Sequence, residues 1–143
     1  MTHNGSYWFD SLDEQIVQAS LKPLPAEVDV VIIGGGYTGL WSAYYLSVLS
    51  PDLKVAVLEA ETFGFGASGR NGGWCMGMAH GIEPLLARPQ SQASGVQLMR
   101  AMQATVDEIG QVTTALGIDC HFKKGGNLTV ATQAFQVAQL QTE

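Results

Sequence analysis

An α/β chain with a parallel sheet is predicted by three observations. A glycine turn separates an apolar strand from an apolar helix. A second strand follows that helix. The whole strand–turn–helix–strand unit fits within residues 28–59, the size of a βαβ unit with its right-handed crossover. With 143 residues the chain is as long as one ordinary domain and can bury a sizeable core. At 46% hydrophobic and 14% charged it has the apolar surface that a disordered polyelectrolyte lacks.

The elements follow in order. Residues 1–27 read as a lead-in, in which Tyr7-Trp8-Phe9 should pack on the body and Lys22-Pro23-Leu24-Pro25 forms a stiff connector. Val28–Ile33 is a strand whose apolar end leaves no wet face, as in a parallel sheet covered on both sides. Gly34-Gly35-Gly36 breaks it. Thr38–Leu49 is a helix expected to be buried on most sides, and Ser50-Pro51-Asp52 ends it. Leu53–Glu59 is the second strand.

Seven glycines between 64 and 81 exclude a regular element there. A long helix is expected over 94–116, with Leu98 or Met99, Met102, Val106, Ile109, Val112 and Leu116 as one stripe. Ser94 and Gln97 resemble a capping box, and Gly117 is its stop. His121–Lys124, Gly125-Gly126 and Asn127–Ala131 read as a hairpin, and Ala134–Leu140 starts another helix. The domain division is a lead-in over 1–27, a dinucleotide-binding part over 28–119 and a further, truncated domain from 120 to 143.

Gly34-x-Gly36-x-x-Gly39 stands where its physics requires, directly after a buried strand and opening a helix. Gly34 permits the tight turn, Gly36 lets backbone approach a pyrophosphate, and Gly39 lets helix and strand pack closely. Gly36→Val should abolish cofactor binding, whereas Gly35→Ala should be tolerated better. The phosphates would sit on the exposed N–H groups and positive end of the helix. Glu59 closes the second strand twenty residues after Gly39, where a carboxylate accepts both ribose hydroxyls of an adenosine. That carboxylate disfavours a 2′-phosphate and therefore NADP. NAD and FAD share the spacing, and an NAD-linked dehydrogenase stays open at this point. The distinguishing stretch is residues 63–74, where a dozen glycine-dominated residues replace the helix an NAD enzyme would begin.

Val28 to Trp74, and above all the segment GASGRNGG at 66–73, resembles the opening of the FAD-dependent oxidoreductases of the D-amino-acid oxidase superfamily. The γ-glutamylputrescine oxidoreductase-like amine oxidases are the nearest group. Ser6-Tyr7-Trp8 and Pro25-x-x-x-Asp29 have the look of that group, and Gly125–Ala131 resembles the strand that begins its substrate domain. The resemblance implies a Rossmann-like FAD-binding unit, incomplete here, plus a long helix and the start of a substrate domain. It implies that Gly34, Gly36 and Gly39, with Tyr37 and Thr38, hold the FAD pyrophosphate. Glu59 would bind the ribose, with Ala60 and Glu61 near the adenine. Ala67, Ser68, Arg70, Asn71, Gly72 and Gly73 would line the pyrophosphate, ribityl chain and flavin ring. The FAD is expected to be non-covalent, since relatives with covalent flavin use a His about where Arg70 stands. The implied reaction is hydride transfer from the C–N bond of a small-molecule amine or amino acid, with no catalytic residue and no electron acceptor assigned. Members of the family run to several hundred residues, so the chain reads as an N-terminal fragment, inactive alone. A non-catalytic nucleotide-binding remnant is the alternative.

A formal charge of −6 argues against a nucleic-acid surface. Eight acids and two bases lie in 1–63, five of each in 64–143. Cys75 and Cys120 read as two free thiols in a reducing compartment. No basic, apolar leader opens the chain and no apolar run approaches a membrane span, so a cytoplasmic protein is expected. Metal-ligand spacing is absent. His80 and His121 read as structural or exposed, Met76, Met78, Met99 and Met102 as core, and Lys123-Lys124 as a solvated turn.

Overall fold

The computed structural model describes residues 5–12, 23, 25–126 and 128–140. Lys22 and Leu24 of the proline connector at 22–25, and Asn127, lie outside the described residues. The chain forms two units, Met1–Trp74 and Cys75–Glu143.

The first unit carries a short helix α1 (Tyr7–Asp10), strand β1 (Val30–Ile33), helix α2 (Tyr37–Leu49), strand β2 (Val55–Leu58) and a 3-10 turn (Ala67–Gly69). β1 and β2 pair in parallel, in the register Val30↔Val55 to Ile33↔Leu58. Both strands are shorter than their apolar runs. At the entry the pairing passes to Asp29, which donates its N–H to Lys54 O (2.9 Å) and accepts the Lys54 N–H on Oδ2 (2.8 Å). At the exit the Gly34 N–H still reaches Leu58 O (2.8 Å). α2 ends at Ser50, whose N–H bonds Leu46 O, because Pro51 supplies no donor to continue.

The expected burial differs. Val31 is 50% and Ile33 87% exposed, and Leu40, Tyr45, Val48 and Leu49 of α2 are exposed too. Only Gly39 of α2 is buried. A two-stranded sheet has neither the width nor the second layer to cover both faces, so the apolar patterning of a wide parallel sheet lies partly open here.

In the second unit, α3 (Glu83–Leu86) precedes the long α4 (Pro89–Ala115), and α5 (Ala134–Leu140) comes last. α4 begins at Pro89, five residues before the expected start. Proline is well suited to the first helical position because its missing N–H would be an orphan there anyway. Ser94 therefore lies inside the helix, Arg88 takes the N-cap, and the expected capping box does not form. The stop is as expected. Gly117 has φ +65°, its N–H bonds Thr114 O (3.2 Å), and the Ile118 N–H reaches back to Thr113 O (2.8 Å). This pair of bonds is the Schellman closure, which needs a left-handed residue and so favours glycine.

The core of this unit lies under α4, where Met99, Met102, Val106 and Ile109 are half-buried and Val112 buried. Leu98 and Leu116 are exposed, so Met99 rather than Leu98 belongs to the stripe. Of the other methionines, Met76 is half-buried and Met78 exposed. Leu85 and Leu86 of α3 pack at Gly95, and Phe122 packs over Gly110. The hairpin expected over 121–131 does not form, since no strand occurs among its described residues. A lone two-stranded ribbon has too little apolar contact to hold itself together in water. Phe122 and the pairing of Lys124 Nζ with Asp107 Oδ1 tie this stretch to α4 instead. α5 keeps its expected range, its first turn closed by Gln136 Oε1, which accepts the Thr132 (2.8 Å) and Gln133 (3.0 Å) N–H groups. Cys75, Cys120, His80 and His121 are all exposed, and both thiols are free. No helix among the described residues is long and apolar enough to cross a membrane.

Candidate dinucleotide site

β1 ends by turning through Gly34, whose φ of +101° lies in the region that disfavours side chains. Gly36, with extended backbone, is the N-cap of α2, and its carbonyl accepts the Leu40 N–H (3.0 Å). Gly39 sits one turn into the helix directly over the Gly34 carbonyl. A Cβ there would overlap that oxygen and come within 3.3 Å of Ile32 Cγ2. The close packing of helix on strand therefore depends on this glycine. The Thr38 and Gly39 N–H groups belong to the first turn, where no intrahelical acceptor is available. Together with the helix dipole they make a site for an anion.

Glu59 follows β2 and turns back to this turn. Its Oε2 accepts the Gly35 N–H (2.7 Å) and its Oε1 the Glu61 N–H (3.1 Å). The Gly35 N–H foremost, then that of Glu61, hold the carboxyl below the usual carboxylate range against a smaller opposing effect of desolvation, with the Ala60 N–H adding least. A carboxylate has about four acceptor positions, so the group keeps capacity for hydroxyl donors.

The second glycine-rich stretch, 64–73, lies against the first. The Gly64 N–H donates to Gly35 O (2.9 Å), and Ser68 Oγ accepts the Tyr37 N–H (2.9 Å) at the start of α2. Asn71 organises the loop: its Nδ2 donates to Ser68 O (2.6 Å) and toward Tyr37 Oη (3.3 Å), while Oδ1 accepts the Gly73 N–H (2.7 Å). Ala67 opens the 3-10 turn, and its carbonyl accepts the Arg70 N–H (3.2 Å). The Arg70 guanidinium lies 4.6 Å over the Phe65 ring. Gly73 has φ +72° and Gly72 faces open space.

Hydrogen bonds thus draw Gly35, Tyr37, Glu59, Glu61, Ser68 and Asn71 together around the turn at Gly34–Gly39. Ala60, Gly72 and Gly73 border it in sequence, and Arg70 points its charge onto an aromatic face. Two features differ from expectation. A Cβ on Gly35 would overlap the Phe63 ring, so this position is as constrained as its neighbours. A Cβ on Gly36 would stand 2.9 Å from Ser68 Oγ, the hydroxyl that caps Tyr37. Phe63 and Trp8 were not foreseen as parts of the site. For Phe63 the signal was its place immediately before the loop; for Trp8 it was the aromatic run Tyr7-Trp8-Phe9, which announced packing on the body but not its partner.

A strand-end glycine turn, an open helix N-terminus and a tethered carboxylate suit the adenosine diphosphate half of a dinucleotide. The sequence profile described as FAD dependent oxidoreductase matches residues 29–143. The chain belongs to the FAD-dependent oxidoreductase family. Gamma-glutamylputrescine oxidoreductase of Escherichia coli (strain K12) is 34% identical over 155 residues, covering 99% of this chain and 32% of the relative. A protein named Probable oxidoreductase OrdL from Haemophilus influenzae is 34% identical over 124 residues, 86% of this chain and 28% of its own. Thiamine thiazole synthase of Schizosaccharomyces pombe is 53% identical, but over only 36 residues, 25% of this chain and 11% of its own. The chain spans about a third of the length of the first two relatives. No solved structure matches it. Members of this FAD-dependent family are enzymes, and FAD is their cofactor.

Proposed function

We propose that this chain forms the FAD-binding portion of a flavoenzyme that oxidises the C–N bond of a small-molecule amine or amino acid. The observation that carries the proposal is Glu59, tethered by the Gly35 N–H beside the open start of α2. The donor set at that point suits FAD: N–H groups for a pyrophosphate, a carboxylate for a ribose and glycines where a ligand must approach closely. In this reading the Gly34–Gly39 turn, with the Tyr37 and Thr38 backbone, binds the pyrophosphate. Glu59 takes the ribose hydroxyls, and Ala60 and Glu61 border the adenine. Ala67, Ser68, Arg70, Asn71, Gly72 and Gly73 line the remainder of a non-covalently held FAD. When bound, the flavin supplies the hydride acceptor; the chain's residues bind and orient it. The amine class rests on the relative named for γ-glutamylputrescine, aligned over nearly the whole chain.

Titration of the purified chain with FAD, followed by flavin fluorescence, tests the cofactor. Saturable FAD binding, with flavin colour retained by the protein after free FAD is removed and no binding of NAD in a parallel titration, separates flavin from nicotinamide binding. An amine and amino-acid panel, read by peroxide formation and dye reduction, tests the reaction in a protein that joins this portion to the remaining length its relatives have. FAD binding without turnover is expected of the chain by itself; FAD binding without turnover of any amine in the longer protein would remove the amine proposal.

A further inference from the structure

The loop at 64–73 contains five glycines, and such a stretch is costly to order because glycine loses more backbone freedom than any other residue. Asn71 links the loop to itself, but internal bonds do not hold it against the rest of the unit. Gly35 and Tyr37 hold its near side against the glycine turn, and its far side is held by a segment more than fifty positions earlier. Ser6, 3% exposed, donates its hydroxyl to Gly69 O. Trp8 Nε1–H donates to Asn71 O at 2.7 Å. The Trp8 indole covers Gly73, where a Cβ would meet Cζ2 at 2.8 Å, and Phe9 covers Gly69, where a Cβ would meet Cε2 at 2.8 Å. Tyr7 stays 75% exposed, while Trp8, 41% exposed, and Phe9 lay one side of their rings on the loop. Each contact requires glycine or main chain on the loop side.

We propose that Ser6–Phe9 is a strap that sets the shape of the glycine-rich loop, with Trp8 as the positioning residue for the flavin half of the dinucleotide site. The proposal rests on the reading of 64–73 as cofactor-lining. The strap grips Gly64, Gly69, Asn71 and Gly73, whereas Glu59 is held by Gly35 and Glu61. Loosening it should therefore weaken ligands that extend along the loop and spare those that end at Glu59.

The experiment uses the full chain, Trp8→Ala and Trp8→Phe, titrated separately with FAD and with AMP. Amide hydrogen exchange of the apo chains is followed over 64–73 and over β1 and β2. Trp8→Ala is expected to lower FAD affinity about tenfold, the effect of one lost hydrogen bond and an aromatic contact. AMP affinity should be unchanged, and exchange should rise in the loop but not in the strands. Trp8→Phe keeps a ring and loses the donor, and should fall between. Unchanged FAD affinity in Trp8→Ala overturns the strap and leaves the site reading standing. Parallel loss of AMP and FAD binding, or loss of strand protection, overturns it in favour of an ordinary core tryptophan. If the unaltered chain binds AMP but no FAD, the cofactor-lining reading of the loop falls, and the strap with it.

Discussion

The two glycine stretches of the first unit are held in different ways. The turn at Gly34–Gly39 takes its path from its own backbone, with a left-handed Gly34, an extended Gly36 and Gly39 against the Gly34 carbonyl, and is fastened by Glu59 and bordered by Phe63 and Ser68. The loop at Gly64–Gly73 is shaped by side chains from elsewhere, with Ser6, Trp8 and Phe9 reaching in and Tyr37 and Gly35 receiving it. Each set has a glycine pressed on the carbonyl five positions back, Gly39 on Gly34 O and Gly69 on Gly64 O; the loop alone adds contacts with aromatic rings about sixty positions earlier. A motif written as spaced glycines captures the first and says little about the second.

The sharpest way to break this contrast is Gly39→Val. Its side chain would occupy the Gly34 carbonyl position, and the helix must lift off the strand to admit it. Destabilisation of about 3 kcal/mol or more is expected in urea unfolding, at the upper end of overpacking effects. A variant of parental stability would show that the turn, like the loop, can yield.

Gly36→Val tests ligand binding more than folding. The clash is with Ser68 Oγ, a side chain that can move, so stability should change little. FAD affinity should fall by about a hundredfold, because the phosphates would lose two or so charge-assisted N–H bonds. Gly35→Ala, pressed on Phe63, should cost about 1–2 kcal/mol in the same unfolding assay.

Glu59→Gln should lower FAD affinity by about tenfold in the same titration, the loss of one strong hydrogen bond to a charged acceptor. It also has a pH signature. The Glu59 carboxyl titrates below its usual range in the folded chain because Gly35, then Glu61 and Ala60, donate to its ionised form. Such a group contributes stability above its unfolded value of about 4.3 and loses it as pH falls through the lower folded value. The stability gap between parent and Glu59→Gln should therefore be level from neutral pH to about 5 and close under more acidic conditions. A gap that instead widened on acidification would contradict the tether.

The smallest effect is expected at Gly72→Ala. A Cβ there meets nothing within 4 Å, and φ is not left-handed. Stability should stay within about 0.5 kcal/mol. Any fall in FAD affinity would then report a ligand lying against Gly72 rather than a change in the loop.

Much of the first unit was legible because its signals are local. The run Val30–Ile33, the three spaced glycines and Glu59 lie within thirty residues and constrain one another by sterics and hydrogen bonding. The left-handed stop at Gly117 was legible for the same reason. What escaped was decided by tertiary context. Nothing near Trp8 announces that its N–H will find Asn71, and nothing near Gly35 announces Phe63. Pro89 displaced the capping box because a proline at the first helical position costs no hydrogen bond. The apolar faces of β1 and α2 were read correctly as hydrophobic, but their covering depends on layers that two strands do not provide.

The spans of these contacts also set an order of assembly. β1 meets β2 across 25 positions and Gly35 meets Glu59 across 24, whereas Trp8 meets Asn71 across 63. Closing the longer span costs roughly 0.8 kcal/mol more in chain entropy. As the polypeptide leaves the ribosome, the turn and its carboxylate can form once residue 61 has emerged. The Trp8 clasp must wait for residue 73 and is the later, weaker closure. In the finished molecule it should be the first to open, making the glycine loop the preferred place for a protease to cut.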